Sequence, residues 1–181
     1  MSFVRIKTIK GHQYAYQVEN HWNGTSSRQK VTAYLGKVLS FPTTQSAPAP
    51  DMSGAFGACV DELIAWQLVR MGFKRQDRKL SKGKLAFDLD RQSFMKSERP
   101  TACVIKNHEG YICMKTIQTL RQFHASGLDH ETGKELALAV VNAGLELPKE
   151  LFVALFEKAT ATKRKSRKLE EELLSRPSKA I

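Results

Sequence analysis

The first 37 residues carry the pattern that most constrains the fold. Residues 3–9, 13–19 and 28–35 are three short segments in which apolar and polar side chains alternate. A period of two marks a strand with one face covered and the other open. Lys10-Gly11-His12 and Asn23-Gly24-Thr25-Ser26-Ser27 supply turn residues between the segments, so a small antiparallel meander is expected. Alternation puts Val4, Ile6, Tyr14, Tyr16, Val18, Val31, Ala33 and Leu35 on the covered face. The open face then receives Arg5, Lys7, Gln17, Lys30, Thr32 and Tyr34, with Arg28 and Lys37 at its edges. Such a basic face suits a polyanion. Of the tyrosines, Tyr34 has the better case for stacking on a base, because Tyr14 and Tyr16 are expected to fill the covered side.

Within these segments, Arg5-Ile6-Lys7, Tyr14-x-Tyr16-x-Val18-Glu19 and Arg28-Gln29-Lys30-Val31-x-x-Tyr34-Leu35-Gly36-Lys37 follow one another at fixed spacing. This order resembles the amino-terminal segment of insertion-sequence transposases of the DDE class. The matching positions are Arg5, Lys7, Tyr14, Tyr16, Arg28, Gln29, Tyr34, Leu35 and Gly36. In that family a similar meander precedes the catalytic body, so the resemblance implies a nucleic-acid-binding module. It covers residues 3–37 only. No ordered carboxylate triad follows, so the resemblance implies the binding module and not a working transposase.

The chain has 181 residues, 41% of them hydrophobic and 26% charged, with a mean hydropathy of -0.38. That supplies one ordinary core, or a mini-domain and a larger one. No apolar run approaches the roughly 20 residues of a membrane span, and the opening Met1-Ser2-Phe3-Val4-Arg5 lacks a signal-peptide apolar region. Cys59, Cys103 and Cys113 form an odd set with no close pair, which suits a reducing, cytoplasmic setting. The net charge of +11 is unevenly spread. Residues 1–50 carry +5, residues 70–106 carry +7 and residues 151–181 carry +4, while 51–69 and 107–150 are acidic. Clustered basic charge points to a binding surface, because solubility alone needs no clustering.

An α+β architecture is expected: an amino-terminal three-stranded antiparallel meander, a helix, a small antiparallel sheet and carboxy-terminal helices. Residues 1–39 form the basic meander. Residues 40–52, with Pro42, Pro48 and Pro50, read as a linker and the domain boundary. Residues 53–162 form a mixed domain. It opens with a helix capped by Ser53 or Asp51 and ending near Met71-Gly72. An exposed loop or hairpin rim at 74–84 follows, then a strand at 84–90 and a hairpin at 102–113 turning on Asn107-His108-Glu109-Gly110. Helices are expected at 114–125, at 131–143 with Asp129 as a cap, and from Pro148 onward. Residues 163–181 form a basic, then acidic, helical tail.

Phosphate contacts are expected from Arg5, Lys7, Arg28, Lys30 and Lys37 of the meander, from Lys74, Arg75, Arg78, Lys79, Lys82 and Lys84, and from Lys163, Arg164, Lys165, Arg167 and Lys168. Cys103, His108 and Cys113 have a C-x4-H-x4-C spacing that His124 or His130 would complete. Zinc sites use tighter ligand pairs, and these cysteines sit in apolar strand patterns where a small core residue is the ordinary reading, so no metal is expected. Asp88 and Asp90, two apart on a strand, are the residues a metal-dependent nuclease would use. They lack a third carboxylate or a positioned base and are read as structural or solvated carboxylates on the strand's solvent face. No phosphate-binding glycine loop, dinucleotide fingerprint or nucleophile elbow occurs, so no cofactor is expected. The expected function is non-catalytic nucleic-acid binding, with DNA favoured by the resemblance. The alternatives are an RNA- or ribosome-associated protein and a metal-dependent nuclease.

Overall fold

A computed structural model describes residues 2–22 and 24–174, and the side chains of 3–22 and 24–161. The elements in order are β1 (Ser2–Ile9), β2 (His12–Trp22), β3 (Ser27–Ser40), α1 (Phe56–Arg70), β4 (Lys74–Gln76), β5 (Lys79–Lys82), β6 (Leu85–Asp88), β7 (Ser93–Lys96), β8 (Arg99–Pro100), β9 (Cys103–Asn107), β10 (Gly110–Ile112), α2 (Met114–Arg121), α3 (His130–Asn142) and α4 (Lys149–Leu174). The class is α+β, with the amino-terminal meander, the helix, the small sheet and the later helices in the expected order.

The meander is not a separate unit. It forms one five-stranded sheet with the later hairpin, in the order β1-β2-β3-β9-β10. The joint is parallel: Lys37, Val38, Leu39 and Ser40 face Cys103, Val104, Ile105 and Lys106. Gly36 permits this approach. Its φ is +129°, and a Cβ there would stand 2.2 Å from the carbonyl carbon of Ala102. Residues 41–52 are irregular, as their prolines require, but they do not bridge two domains. Thr44 and Gln45 donate their N–H groups to the Arg70 carbonyl, Phe41 packs edge-on against Phe73 at 5.5 Å, and Met52 packs on the core.

The expected central sheet divides in two. The hairpin β9–β10 belongs to the meander's sheet, while the 74–84 segment, read as an exposed loop or hairpin rim, is the β4–β5 hairpin at the edge of an up-and-down sheet β4-β5-β6-β7-β8. Two-residue turns close β4–β5, β5–β6 and β7–β8, the last with Ser97 and Glu98 both at positive φ, and four residues join β6 to β7. One apolar core lies between the two sheets and the helices. It takes Leu63, Ile64 and Leu68 from α1, Leu80, Phe87 and Phe94 from the second sheet, Ile105 and Ile112 from the first, and Leu120, Leu136 and Leu155 from α2, α3 and α4. The start of α1 also differs from expectation. Ala55 occupies the cap without a side-chain bond, and Asp51 instead accepts from the Ser53 N–H before the helix begins. Asp129 caps α3 as expected, accepting from Thr132 N–H.

Replacing Gly36 with Val is expected to separate β3 from β9, because positive φ and a backbone clash act together. The expected loss is more than about 3 kcal/mol, the upper end for a strained backbone position. Urea unfolding with the midpoint compared to the parent chain measures it.

Candidate nucleic-acid interface

The register of the first hairpin decides what the open face of the meander contains. Lys10 and Gly11 have φ of 50° and 78°, so the turn has two residues and Ile9 pairs with His12. Arg5 then lies opposite Tyr16, Lys7 opposite Tyr14, and Val4 and Ile6 opposite Gln17 and Ala15. Directly opposed residues share a face. Tyr14 and Tyr16 therefore stand with the basic residues and not on the covered side, where Ala15 is fully buried. The expected three-residue turn would have slipped the pairing by one and exchanged the faces of β2.

The second hairpin adds two irregularities. The partner of Ala15 is Gly36 while that of Tyr16 is Tyr34, and the partner of Gln17 is Ala33 while that of Val18 is Val31. Leu35 and Thr32 are thus extra residues in β3, and each exchanges the faces of the strand beyond it. The first bulge brings Tyr34 onto the face of Tyr16, while Leu35 packs on the opposite side with Ala15 and Val38. Beyond the second, Lys30 lies opposite Glu19 and Arg28 opposite His21, on the face of Ala15. Arg28 and Lys30 therefore do not share a face with Arg5 and Lys7, contrary to the alternation of the sequence.

The resulting face has Arg5 and Lys7 on β1, Tyr14 and Tyr16 on β2, and Tyr34 and Lys37 on β3. Tyr34 stands 5.5 Å from Tyr16 and 6.4 Å from Tyr14, ring centre to ring centre. The Lys7 ammonium lies 5.4 Å above the Tyr16 ring, and Arg5 donates to Gln29 Oε1. Register adds Phe3, Ile9, Trp22 and Val31 to the same face, all exposed, with Trp22 at 69% and Tyr34 at 51%. The lone carboxylate of the three strands, Glu19, falls on the other face. Burial first, and then the neighbouring Tyr14 and Tyr16, raise the pKa of Tyr34, so its ring stays neutral at physiological pH. Neutral rings flanked by cations offer stacking surfaces beside phosphate contacts.

The other expected contacts divide by what holds them. Arg75 makes two 2.6 Å bonds to the Glu62 carboxylate. Arg78 bridges Asp90 at 2.8 Å and Asp61 at 3.1 Å, and Arg121 also bonds Asp61, which is 4% exposed. Lys82 donates to the Met71 carbonyl and lies 4.7 Å over the Phe41 ring. These three side chains are tied into the fold. Lys74, Lys79 and Lys84 are exposed and make no ion pair among the described residues. Lys163, Arg164, Lys165, Arg167 and Lys168 continue α4, and their side chains lie outside the described ones, as do residues 175–181 of the expected tail.

Asp88 and Asp90 do not share a solvent face. The strand ends at Asp88, which is buried, and its Oδ1 accepts from the N–H groups of Asp90 and Arg91. This holds the β6–β7 turn, while Asp90 turns to Arg78. Among the described residues no three His, Cys, Asp or Glu side chains form a metal-holding group. His108 turns its Nε2 to Glu146 at 3.0 Å, and Cys113 caps α2 through Thr116.

Burial in apolar surroundings pushes the Cys103 thiol up to about 11. Sequence reading missed Tyr14, Tyr16 and Trp22, and the available signal was Lys10-Gly11 read as a complete turn. Among the described residues no helix is long and apolar enough to cross a membrane. Comparison with protein-family models, curated proteins and solved structures finds no match to this chain.

The Cys103 thiol also fixes an alkaline pH dependence. The folded protein holds its proton more tightly than the unfolded chain, whose thiols titrate near ~8.5. The stability this contributes is complete below that pH and is lost as pH rises through about 11. Urea midpoints measured across this range are expected to fall less steeply for Cys103→Ala than for the parent chain.

Proposed function

We propose that this chain is a non-catalytic nucleic-acid-binding protein that engages its ligand through the tyrosine face of β1–β3. The observation that carries this reading is the cross-strand register, which gathers Tyr14, Tyr16 and Tyr34 with Arg5, Lys7 and Lys37 and sends Glu19 to the far side. A face with cations and no carboxylate attracts a polyanion, and open aromatic rings beside the cations select one whose monomers are flat. DNA is placed ahead of RNA because of the resemblance to the amino-terminal segment of insertion-sequence transposases. RNA, including ribosomal RNA, is the second reading: the same rings and cations accept unpaired RNA bases equally well.

Binding is expected to weaken steeply with salt, because neutralising phosphates releases condensed cations. Arg5→Gln, Lys7→Gln and Lys37→Gln together are expected to flatten the salt slope by about two to three single-strand contacts, at about 0.7 per phosphate. Tyr34→Ala is expected to cost about 1–3 kcal/mol through lost stacking. Arg28→Gln with Lys30→Gln, on the opposite face, is expected to leave affinity close to the parent value. Fluorescence anisotropy with labelled DNA and RNA over a salt series measures all three. Equal losses from both sets of substitutions, or binding indifferent to salt, would sink the proposal.

A further inference from the structure

We infer that the ligand of the tyrosine face is single-stranded nucleic acid, DNA on the reading above, and that it continues past Tyr34 across Arg91 into a basic cavity on the second sheet. The inference rests on that reading and adds the form of the ligand and its path.

The form follows from what the face exposes. In a duplex the flat surfaces of the bases are stacked on one another, and a protein meets phosphates and base edges. Such a partner satisfies Arg5, Lys7 and Lys37 but leaves the rings of Tyr34 and Trp22 without anything to stack on. A single strand presents phosphates and free base faces together, which is the combination this face complements. The exposed rings and apolar side chains are interleaved with the cations and not segregated from them, so one extended chain can use both.

The path follows from two cavities that share a residue. Beside Tyr34 a groove of about 400 Å³ opens between the sheets, and among its walls are Tyr34, Arg91, Thr101, Met114 and Lys115. A second cavity of about 560 Å³ lies on the outer side of β5, β6 and β7. Lys79, Lys84 and Arg91 line it, together with Asp88 and Glu98. Asp88 already accepts two backbone N–H bonds, which offset its charge. Arg91 lines both spaces, so the proposed path from the groove at Tyr34 to the basic cavity runs across its side chain. The Arg91 backbone is fixed by its bond to Asp88, while its guanidinium is exposed and makes no ion pair among the described residues. A planar guanidinium is suited to this junction, since it bonds phosphate in bidentate fashion and also stacks on a base. Two of the exposed lysines of the 74–84 segment, Lys79 and Lys84, thereby gain a place in the same site as the meander.

The test compares ligands of two lengths on the full chain. Oligodeoxythymidines of about 4 and about 12 nucleotides, spanning the known range for single-strand sites, are titrated by anisotropy beside a duplex of the longer length and an oligouridine of the same length. The longer single strand is expected to bind at least about tenfold more tightly than the duplex. Arg91→Ala combined with Lys84→Gln is expected to weaken the longer strand about tenfold and to leave the shorter one unchanged, because only the longer ligand reaches the cavity. Tyr34→Ala is expected to weaken both. Both altered positions are exposed, and an unchanged urea midpoint verifies the fold. Indifference of the longer strand to the Arg91 and Lys84 substitutions overturns the path. Preference for duplex overturns the single-stranded form, and preference for oligouridine overturns the choice of DNA, while in each of these cases the nucleic-acid reading stands. Failure to bind any of the four ligands removes that reading and this inference together.

Discussion

The parallel pairing of β3 with β9 is the joint on which the rest of the molecule depends. Three strands are about the minimum for an independently stable sheet, and only with an apolar face to bury. Here the third continues into the sheet that borders the main core, and Leu39 and Ile105, opposed across the joint, both pack into that core. The face that buries Leu39 and Ile105 is also the face of Lys37, and through Lys37 that of Tyr14. One sheet surface is therefore core at one end and open at the other. The tyrosines stand on strands whose third member runs into the main core through Leu39, which fixes the sheet that carries them and would pre-organise the proposed surface.

Charge in this chain has two separate uses, and the structure divides them within a single basic block. Asp61 is the pivot. Its buried carboxylate receives both Arg78 and Arg121, tying α1 to the β4–β5 hairpin and to α2, while Glu62 one residue later takes Arg75. A buried carboxylate is tolerated only where such partners satisfy it, so these arginines cannot leave for a phosphate without exposing a costly orphan. Lysines in the same segment carry no such obligation, except Lys82, which covers the carbonyl end of α1 at Met71. Net charge therefore overstates the contact surface, and burial of the partner carboxylate is what identifies the cations withdrawn from it.

The strands of the meander, their turns and the three later helices were legible in the sequence because each rests on a local signal: period-two alternation, glycine and asparagine turns, and a capping Asp129. What was not legible depends on counting by one. A two-residue turn at Lys10-Gly11 instead of three, and an extra residue at Thr32 and again at Leu35, each leave the alternation of a single strand intact while changing the face it meets. The open face was consequently read with Arg5, Lys7 and Tyr34 where they stand, and with Arg28, Lys30, Tyr14 and Tyr16 on the wrong sides. The strands β7 and β8 escaped because they are only four and two residues long, defined by pairing to β6 and to each other more than by pattern. The proline segment at 41–52 looked like a boundary because composition reports what a chain cannot pair with, but not what it packs against.

An exposed sheet face rich in rings calls for a reason, since such surfaces invite association between copies of a chain. Charge on an edge strand is one common defence, and β1 is an edge strand carrying Arg5 and Lys7. Edge protection does not account for the rest. Lys37 lies on β3, flanked by β2 and β9, where there is no edge to guard. Protection is also indifferent to sign, so Glu would serve as well as Lys, yet the only carboxylate of the three strands is turned to the other face. A surface selected merely for solubility would not cluster three tyrosines within stacking distance, because polar residues would do better. The proposed ligand, a polyanion with flat faces, would account at once for the cations of one sign, spread from the edge strand to the interior one, and for the rings interleaved with them.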